Sequence, residues 1–321
     1  MILVTGAAGF IGFHLCTKLL ERGDPVVGFD NFTDYYDVQL KRDRINQIAG
    51  HKNFTFFEMD LCDREALQEL FHKQPIKRIC HLAAQVGVRY SLRDPYVYQK
   101  SNLEGFLNII ECAREHQVEN FVYASSSSIY GNTEKIPFAE TDRADTPISF
   151  YGTTKRSNEL TAYTYSHLYG LPCIGLRFFT VYGPWMRPDM ALLIFTQKIL
   201  AGTPIDVYGQ GKMKRNFTYI DDIIQGVVLS LDRPKPFAIY NIGNDRTEDL
   251  ERYIDVLEQC LGKKAIRNYM PQQAGDLPET WADIQLIKKE CGYQPTTQID
   301  SGIKKFVEWY KGYYPQNGDS V

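Results

Sequence analysis

Gly6, Gly9 and Gly12 stand three apart in the run Thr5-Gly6-Ala7-Ala8-Gly9-Phe10-Ile11-Gly12, directly after the apolar stretch Ile2-Leu3-Val4 and directly before the helical Phe13-His14-Leu15-Cys16-Thr17-Lys18-Leu19-Leu20. A strand that must turn at once into a helix has little freedom at the join. Gly6 permits the tight turn, Gly9 lets backbone approach a pyrophosphate, and Gly12 allows close packing of the helix. This context predicts the first strand-turn-helix unit of a doubly wound parallel sheet, with a dinucleotide over Gly6, Gly9, Phe10, Ile11 and Gly12. A purely structural turn is the alternative, and the flanking strand and helix argue against it.

The N-terminal half keeps the same rhythm. Apolar runs at 2–4, 25–29, 54–57, 78–82, 120–124 and 173–177 alternate with helix-like segments, which implies an α/β fold with helices on both faces of a parallel sheet. After Gly183-Pro184 the pattern is broken by Pro188, Gly202, Pro204, Gly209 and Gly211, while the run at 238–242 reads as a strand returning to the main sheet. The expected division is a dinucleotide-binding domain over 1–180 with a returning segment at about 217–245, and a smaller substrate-binding α/β domain over 181–216 and 246–321. The polar tail 315–321 is expected to fray.

Charge and cysteine usage exclude several roles. With 36 Lys+Arg against 39 Asp+Glu the net charge is -3, so no basic field draws nucleic acid and any anion must be held locally. Cysteines 16, 62, 80, 112, 173, 260 and 291 are scattered singly, without CxxC spacing or histidines at metal-ligand spacing. They read as buried free thiols in a reducing compartment, and no metal is expected. The absence of a basic leader or a long apolar stretch argues against secretion and membrane insertion and for a cytoplasmic protein.

Tyr151 and Lys155 lie four apart, a spacing that puts both on one helix face. A free phenol has a pKa of about 10, and a cation at ~5 Å in an effective dielectric of ~20 is worth roughly 3 kcal/mol, or about two pKa units. The pair therefore predicts a phenol acting as a base on a substrate hydroxyl beside a nicotinamide. Ser126, within the cluster Ser125 to Ser128, is the candidate to bond the substrate oxygen that loses its proton; a turn-forming serine is the alternative. Asp30, at the end of the second strand, is placed to accept bonds from an adenosine ribose and to repel a 2′-phosphate, favouring NAD over NADP. Asp60-Leu61, read as closing the third strand, are candidates for the adenine edge or a helix cap, and Asp221-Asp222 read as a helix cap. His14, His81 and His167 read as packed or exposed, not catalytic.

Longer segments carry a resemblance. Asp30-Asn31 with Asp34-Tyr35-Tyr36-Asp37-Val38, the run from His81 to Ser91, Leu176 to Trp185, Arg187-Pro188-Asp189-Met190-Ala191 and Arg215 to Asp222 resemble the extended short-chain dehydrogenase/reductase family, whose core is a Rossmann-type sheet. At finer grain they are similar to its UDP-glucuronate 4-epimerases, over nearly the whole chain. The resemblance implies that Lys155 also holds the nicotinamide ribose and that Asn31, Leu82, Ala83, Ala84 and Asn102 help form the NAD pocket. It implies that Arg187 and Arg215 grip a substrate diphosphate, that Val207 and Tyr208 line a uracil slot, that Asp276 lies near the nucleotide ribose, and that Gly87 and Arg89 belong to the substrate site. A homodimer is implied as well. Asn216, Met186, Gly152-Thr153 and Gln273 depart from the commoner family pattern, and none of them removes a catalytic group.

The activity so implied is interconversion of UDP-glucuronate and UDP-galacturonate through a 4-keto sugar, with Thr180, Ser127 and Ser128 holding the carboxylate so that carbon dioxide is not lost. A UDP-glucose/UDP-galactose epimerase is the near alternative. A dehydratase or decarboxylase is disfavoured because serines, not acids, follow the catalytic hydroxyl. A non-catalytic NAD-binding regulator is the reading from another class, and it leaves the intact Tyr151 and Lys155 pair without a use.

Overall fold

In the computed structural model, which describes residues 1–273 and 276–314, all seven apolar runs fall in one seven-stranded sheet. Its strands are β1 (Ile2–Thr5), β2 (Val26–Asp30), β3 (Phe54–Glu58), β4 (Arg78–His81), β5 (Asn120–Ser126), β6 (Cys173–Phe178) and, after an excursion, β11 (Phe237–Ile242). Within that excursion and beyond it lie the short strands β7 (Thr180–Tyr182), β8 (Ile205–Val207), β9 (Lys214–Arg215), β10 (Phe217–Tyr219), β12 (Glu248–Asp249) and β13 (Arg267–Tyr269). These pair as β10 with β7, β12 with β9 and β13 with β8. The expectation for the tail 315–321 lies outside the described residues.

The main sheet has the order β11-β6-β5-β4-β1-β2-β3, and every pairing in it is parallel. Parallel strands need crossovers, and the crossovers are α1 (Phe10–Glu21), α2 (Val38–Ile48), α3 (Arg64–Lys73), α4 (Pro95–Tyr98) leading into α5 (Gly105–Glu115), and α6 (Phe150–Tyr169). Helices on both faces explain why β1 and β2 are buried along their whole length, whereas the edge strand β3 is only partly covered, with Thr55 and Glu58 exposed. The order reverses between β1 and β4, which opens a crevice at their carboxyl ends. The C-terminal part adds α7 (Ala191–Ala201), α8 (Ile220–Asp232), α9 (Leu250–Leu261), α10 (Gln285–Cys291) and α11 (Ile299–Tyr313).

Two apolar clusters fill the faces of the sheet. One packs Leu67 and Phe71 of α3, Ile109 and Ile110 of α5, and Ala162 of α6 against the strands. The other runs from Leu15 and Leu19 of α1 through Ile223 and Val227 of α8 to Ile254 of α9 and Phe306 of α11. Helix α6 begins where the Ser149 hydroxyl accepts from the Gly152 amide at 3.1 Å, and it ends at the left-handed Gly170, φ 66.

Several local expectations need correction. β5 runs on through Ser125 and Ser126 because they stay in register with Arg177 and Phe178. β3 ends at Glu58, so Asp60 and Leu61 lie in the following turn. Asp60 does not cap α3; that role falls to Asp63, whose carboxylate accepts from the Ala66 amide at 3.0 Å. Asp221 and Asp222 sit in the first turn of α8, whose cap position is Tyr219. The Asp222 carboxylate instead accepts from the Thr296 and Thr297 amides, at 3.1 and 3.0 Å, and so fixes the approach to α11. All seven cysteines are free thiols, but Cys62 and Cys260 are only partly buried.

Candidate active site

A cavity of about 400 Å³ opens over the carboxyl ends of β1, β2, β4 and β5. At one end lies the glycine turn. Gly6 has φ 68, and a Cβ there would stand 2.8 Å from the Ala83 amide nitrogen; a Cβ on Gly12 would stand 2.1 Å from the Gly6 carbonyl oxygen. The turn is thus pressed against Leu82 and Ala83, whose amides both donate to the Thr5 hydroxyl. No side chain caps α1, so its first amides remain available to an anion, as the helix dipole also favours.

Asp30 and Asp60 line the next stretch of the cavity. The Asp30 carboxylate accepts from the Ala8 amide at 3.2 Å and the Phe32 amide at 2.9 Å, which leaves lone pairs for a ribose diol. Burial pushes its pKa up, and the Lys41 cation opposes that. Asp60 accepts from the Asn31 side chain at 3.0 Å and the Cys62 amide at 2.7 Å. Gly9, Phe10, Ile11, Asn31, Leu61, Leu82, Ala83 and Ala84 share the same wall. Asn102 does not line the cavity. Buried on a π-helical turn (Gln99–Glu104), it braces the loop below: its amide bonds the Gln85 amide and carbonyl at 2.8 and 3.0 Å and the Thr154 hydroxyl at 3.1 Å.

At the other end stand Tyr151, Lys155, Ser126, Ser127, Ser128, Thr180, Gly87 and Arg187. Burial drives the Tyr151 pKa upward, opposed by a hydrogen bond with the Ser126 hydroxyl and by the positive charge of Arg187. Lys155 differs from expectation. Its ammonium donates to the Ala124 carbonyl at 2.9 Å, burial lowers its pKa to about 8, and it is not among the groups acting on the phenol. Four-residue spacing brought the two side chains to one face, but the Ala124 carbonyl near the end of β5 takes the ammonium. Tyr98, fully buried, holds the Val86 and Gly87 carbonyls at 2.7 and 2.6 Å and lays its ring edge-on to Tyr151 at 6.1 Å.

The remaining expected substrate residues gather separately, outside that cavity. Arg89 bonds Asp276 at 2.9 Å and lies over the Tyr208 ring at 5.5 Å. Arg215, on β9, donates to the Lys214 and Pro278 carbonyls and feels the charges of Asp276 and Arg89. Between the two groups, Arg187 pairs with Asp189 at 3.3 Å, and Asp189 also accepts from the Tyr35 hydroxyl at 3.1 Å. Met186 is buried in the core, and the preceding Trp185 takes the left-handed turn with φ 61. Asn216 is buried and uses both ends of its amide, donating to the Asn244 and Arg246 carbonyls and accepting from the Asn244 amide; an aspartate could not make those two donations.

Residues missed from the sequence include Thr33, Tyr35, Tyr36 and Lys41, all on the cavity wall. Lys41 carried a readable signal. Positions 40, 41, 44, 45 and 48 are the buried residues of α2, and two of the five are cations.

The model of the NAD dependent epimerase/dehydratase family matches residues 2–243. The chain belongs to that family. Among relatives of known sequence, protein CapI of Staphylococcus aureus is 46% identical over 98% of this chain and 99% of its own length. UDP-glucuronate 4-epimerase 1 of Arabidopsis thaliana is 46% identical over 98% of this chain and 78% of its own. Among solved structures, UDP-glucuronic acid 4-epimerase from Bacillus cereus, in complex with UDP-glucuronic acid and NAD, superposes with a TM-score of 0.90 at 34% identity, covering 98% of this chain and 99% of that one. The family's dependence on NAD finds a fitted site here: a glycine turn that admits no side chain, uncapped amides on α1 and a carboxylate at the end of β2.

Proposed function

We propose that this family member is an NAD-dependent UDP-glucuronate 4-epimerase that forms UDP-galacturonate through a 4-keto sugar without decarboxylation. The observation that carries the reading is the composition of the reacting end of the cavity. Tyr151 and Ser126 are flanked there by the uncharged donors Ser127, Ser128 and Thr180 and by two cations, Arg187 and Lys155. A carboxylated sugar finds hydrogen-bond donors and a positive charge on that wall, and no acid stands after Ser126 to remove a C5 proton. The relatives and solved structures named above support the same substrate.

When bound, NAD supplies the acceptor and donor of hydride at the sugar C4. Tyr151 takes the C4 hydroxyl proton and later returns it. Ser126 bonds the same oxygen and holds it in line, while proton transfer by Tyr151 is a type of assistance worth roughly 10² to 10⁴-fold. Lys155, turned toward the Ala124 carbonyl, is placed for the nicotinamide ribose. Thr180, Ser127 and Ser128 keep the bond to the carboxylate out of alignment with the C4 carbonyl π system, the alignment in which a β-keto acid loses carbon dioxide. Arg187 and Arg215 grip the diphosphate, Val207 and Tyr208 flank the uracil, and Asp276 with Arg89 meets the nucleotide ribose end; this anchoring lets the keto sugar turn while its nucleotide stays in place.

The test incubates purified protein with UDP-glucuronate, UDP-glucose and UDP-N-acetylglucosamine in parallel and reads C4 configuration by NMR. Turnover of UDP-glucose alone would transfer the assignment to the neutral-sugar epimerase. Thr180→Ala is expected to raise the share of decarboxylated 4-ketopentose severalfold, and an unchanged product ratio removes Thr180 from that role.

Further parts of the reading concern the whole protein. The reading divides the chain into a dinucleotide-binding part, 1–180 with about 217–245, and a substrate-binding part, 181–216 and 246–321; both contribute to the cavity, the second through Val181, Arg187 and Met190. A homodimer is supported by the exposed Leu107 on α5 and Leu160 and Tyr163 on α6. A cytoplasmic location is supported by seven free cysteines, and no helix among the described residues is long and apolar enough to cross a membrane. The product, a charged nucleotide sugar, suits polysaccharide biosynthesis.

A further inference from the structure

Helix α2 presents two cations on its buried face. Lys41 is 5% exposed and Arg44 fully buried, and they lie three apart in a stripe completed by Ile45 and Ile48. Arg42, on the outer face of the same helix, pairs with Glu58 at 3.5 Å. Lys41 and Arg44 have no carboxylate in ion-pair contact among the described residues. Their partners are neutral oxygens: Lys41 donates to the Thr33 carbonyl at 2.6 Å and the Thr33 hydroxyl at 2.9 Å. Arg44 donates to the carbonyls of Ala8 at 2.8 Å and Trp185 at 2.6 Å and to the Tyr36 hydroxyl at 2.8 Å. One buried carboxylate, Asp30, acts on both at longer range, and the exposed Asp34 acts on Lys41 as well. Two buried cations thus face one buried anion, an imbalance that is costly unless a ligand corrects it.

Lys41 is the member of the pair on the cavity wall, in the stretch with Asp30, Asn31 and Thr33. An ammonium has three N–H donors, and Thr33 takes two. We propose that Lys41 is a cofactor ligand and the hidden half of the NAD-against-NADP choice: its third N–H takes an oxygen on the adenosine ribose or its adjoining phosphate, and its charge offsets Asp30 beneath that ribose. Arg44 acts as a positioning residue, tying the Ala8 carbonyl of the glycine turn to the backbone at Trp185. Asp30 repels a 2′-phosphate, and Lys41 already supplies the cation such a phosphate requires. Removal of the repulsion alone should therefore admit NADP, but only while Lys41 is present.

This inference rests on the NAD-dependent reading above, and its test reads nucleotide binding, not turnover. Wild type, Lys41→Met, Asp30→Asn and the double variant are purified in equal NAD and NADP, gel-filtered and denatured, and the released nucleotides are counted by chromatography. Wild type is expected to carry NAD. Lys41→Met is expected to hold about tenfold less, the loss typical of one charge-assisted bond. Asp30→Asn is expected to gain about tenfold in NADP by the same measure, and the double variant to lose that gain. NAD in Lys41→Met at the wild-type level, or an undiminished NADP gain in the double variant, overturns the proposal. No nicotinamide nucleotide in wild type overturns the underlying reading instead. Where Lys41→Met fails to fold by circular dichroism, Lys41→Arg and Thr33→Ala replace it. Retained NAD in the first with faster NAD release in the second supports the proposal, and release unchanged in Thr33→Ala counts against it.

Discussion

Tyr151 is partly buried on the cavity wall, and the desolvation it meets there would by itself make it a poor base. The groups that oppose burial are the Ser126 hydroxyl and the Arg187 cation, and Arg187 is itself held by Asp189. The phenol must lose its proton to act, so removing a cation raises the pH at which activity appears. Arg187→Met is expected to move the acidic limb of the kcat/KM profile upward by about one to two units, the size of a charge roughly 6 to 12 Å away at an effective dielectric of ~20. A limb that stays in place would show that the phenol does not feel this charge during catalysis. At this scale the sequence disclosed identities better than directions. Helical spacing placed Tyr151 and Lys155 on one face, yet a lysine's long side chain goes to whichever acceptor is free, and the Ala124 carbonyl is visible only once β5 and α6 are packed together. Lys41 was overlooked for a related reason: a charge inside an apolar stripe looks like noise until the helix is seen to bury it.

Helix α6 fixes the distance between its own tyrosine and the serine turn. A Cβ on Gly152 would lie 2.7 Å from the Ser128 carbonyl oxygen and 3.1 Å from the Pro147 side chain, so the departure to glycine at 152 has a local cause. Alanine is favoured over glycine within a helix by about 1 kcal/mol, but here the methyl would push Ser127 and Ser128 away from Tyr151. Gly152→Ala is therefore expected to lower kcat roughly tenfold, as misplacement of reacting groups does, while the protein keeps its NAD and unfolds within a few degrees of wild type. Unchanged kcat would mean that the turn gives way at no cost. Deeper in the same helix, Glu159 meets Arg177 through two bonds of 2.9 Å and accepts from the Ser125 hydroxyl at 2.6 Å, locking α6 to β5 and β6. Elements of this length announce themselves by apolar runs and caps. The strands β7, β8, β9, β10, β12 and β13, of two or three residues each, are too short to show a period; they exist because the tertiary packing aligns them.

Across the whole molecule, two histidines are held neutral in the interior. Burial lowers the pKa of His14 to about 4, where it bonds the Pro184 carbonyl at 2.9 Å, and that of His81 to about 3, where it meets the Thr5 hydroxyl at 2.8 Å. Both values lie below the ordinary 6.5, so the unfolded chain binds these protons first. Stability is then complete above pH 6.5 and declines as the pH falls toward 4, by about 3 kcal/mol for His14 alone. Urea midpoints measured from pH 7 to 4.5 are expected to fall along that path, and His14→Gln should flatten the slope; an identical slope would place the acid sensitivity elsewhere. The molecule's plan has one more effect. Because the chain leaves the main sheet after β6, builds other pairings and returns as β11 beside β6, no single cut separates the main sheet from the short pairings beside it. Grafting a new specificity onto this scaffold by recombination would require two crossovers, one on each side of the returning strand, and a chimera made with one would be left with a sheet missing its margin.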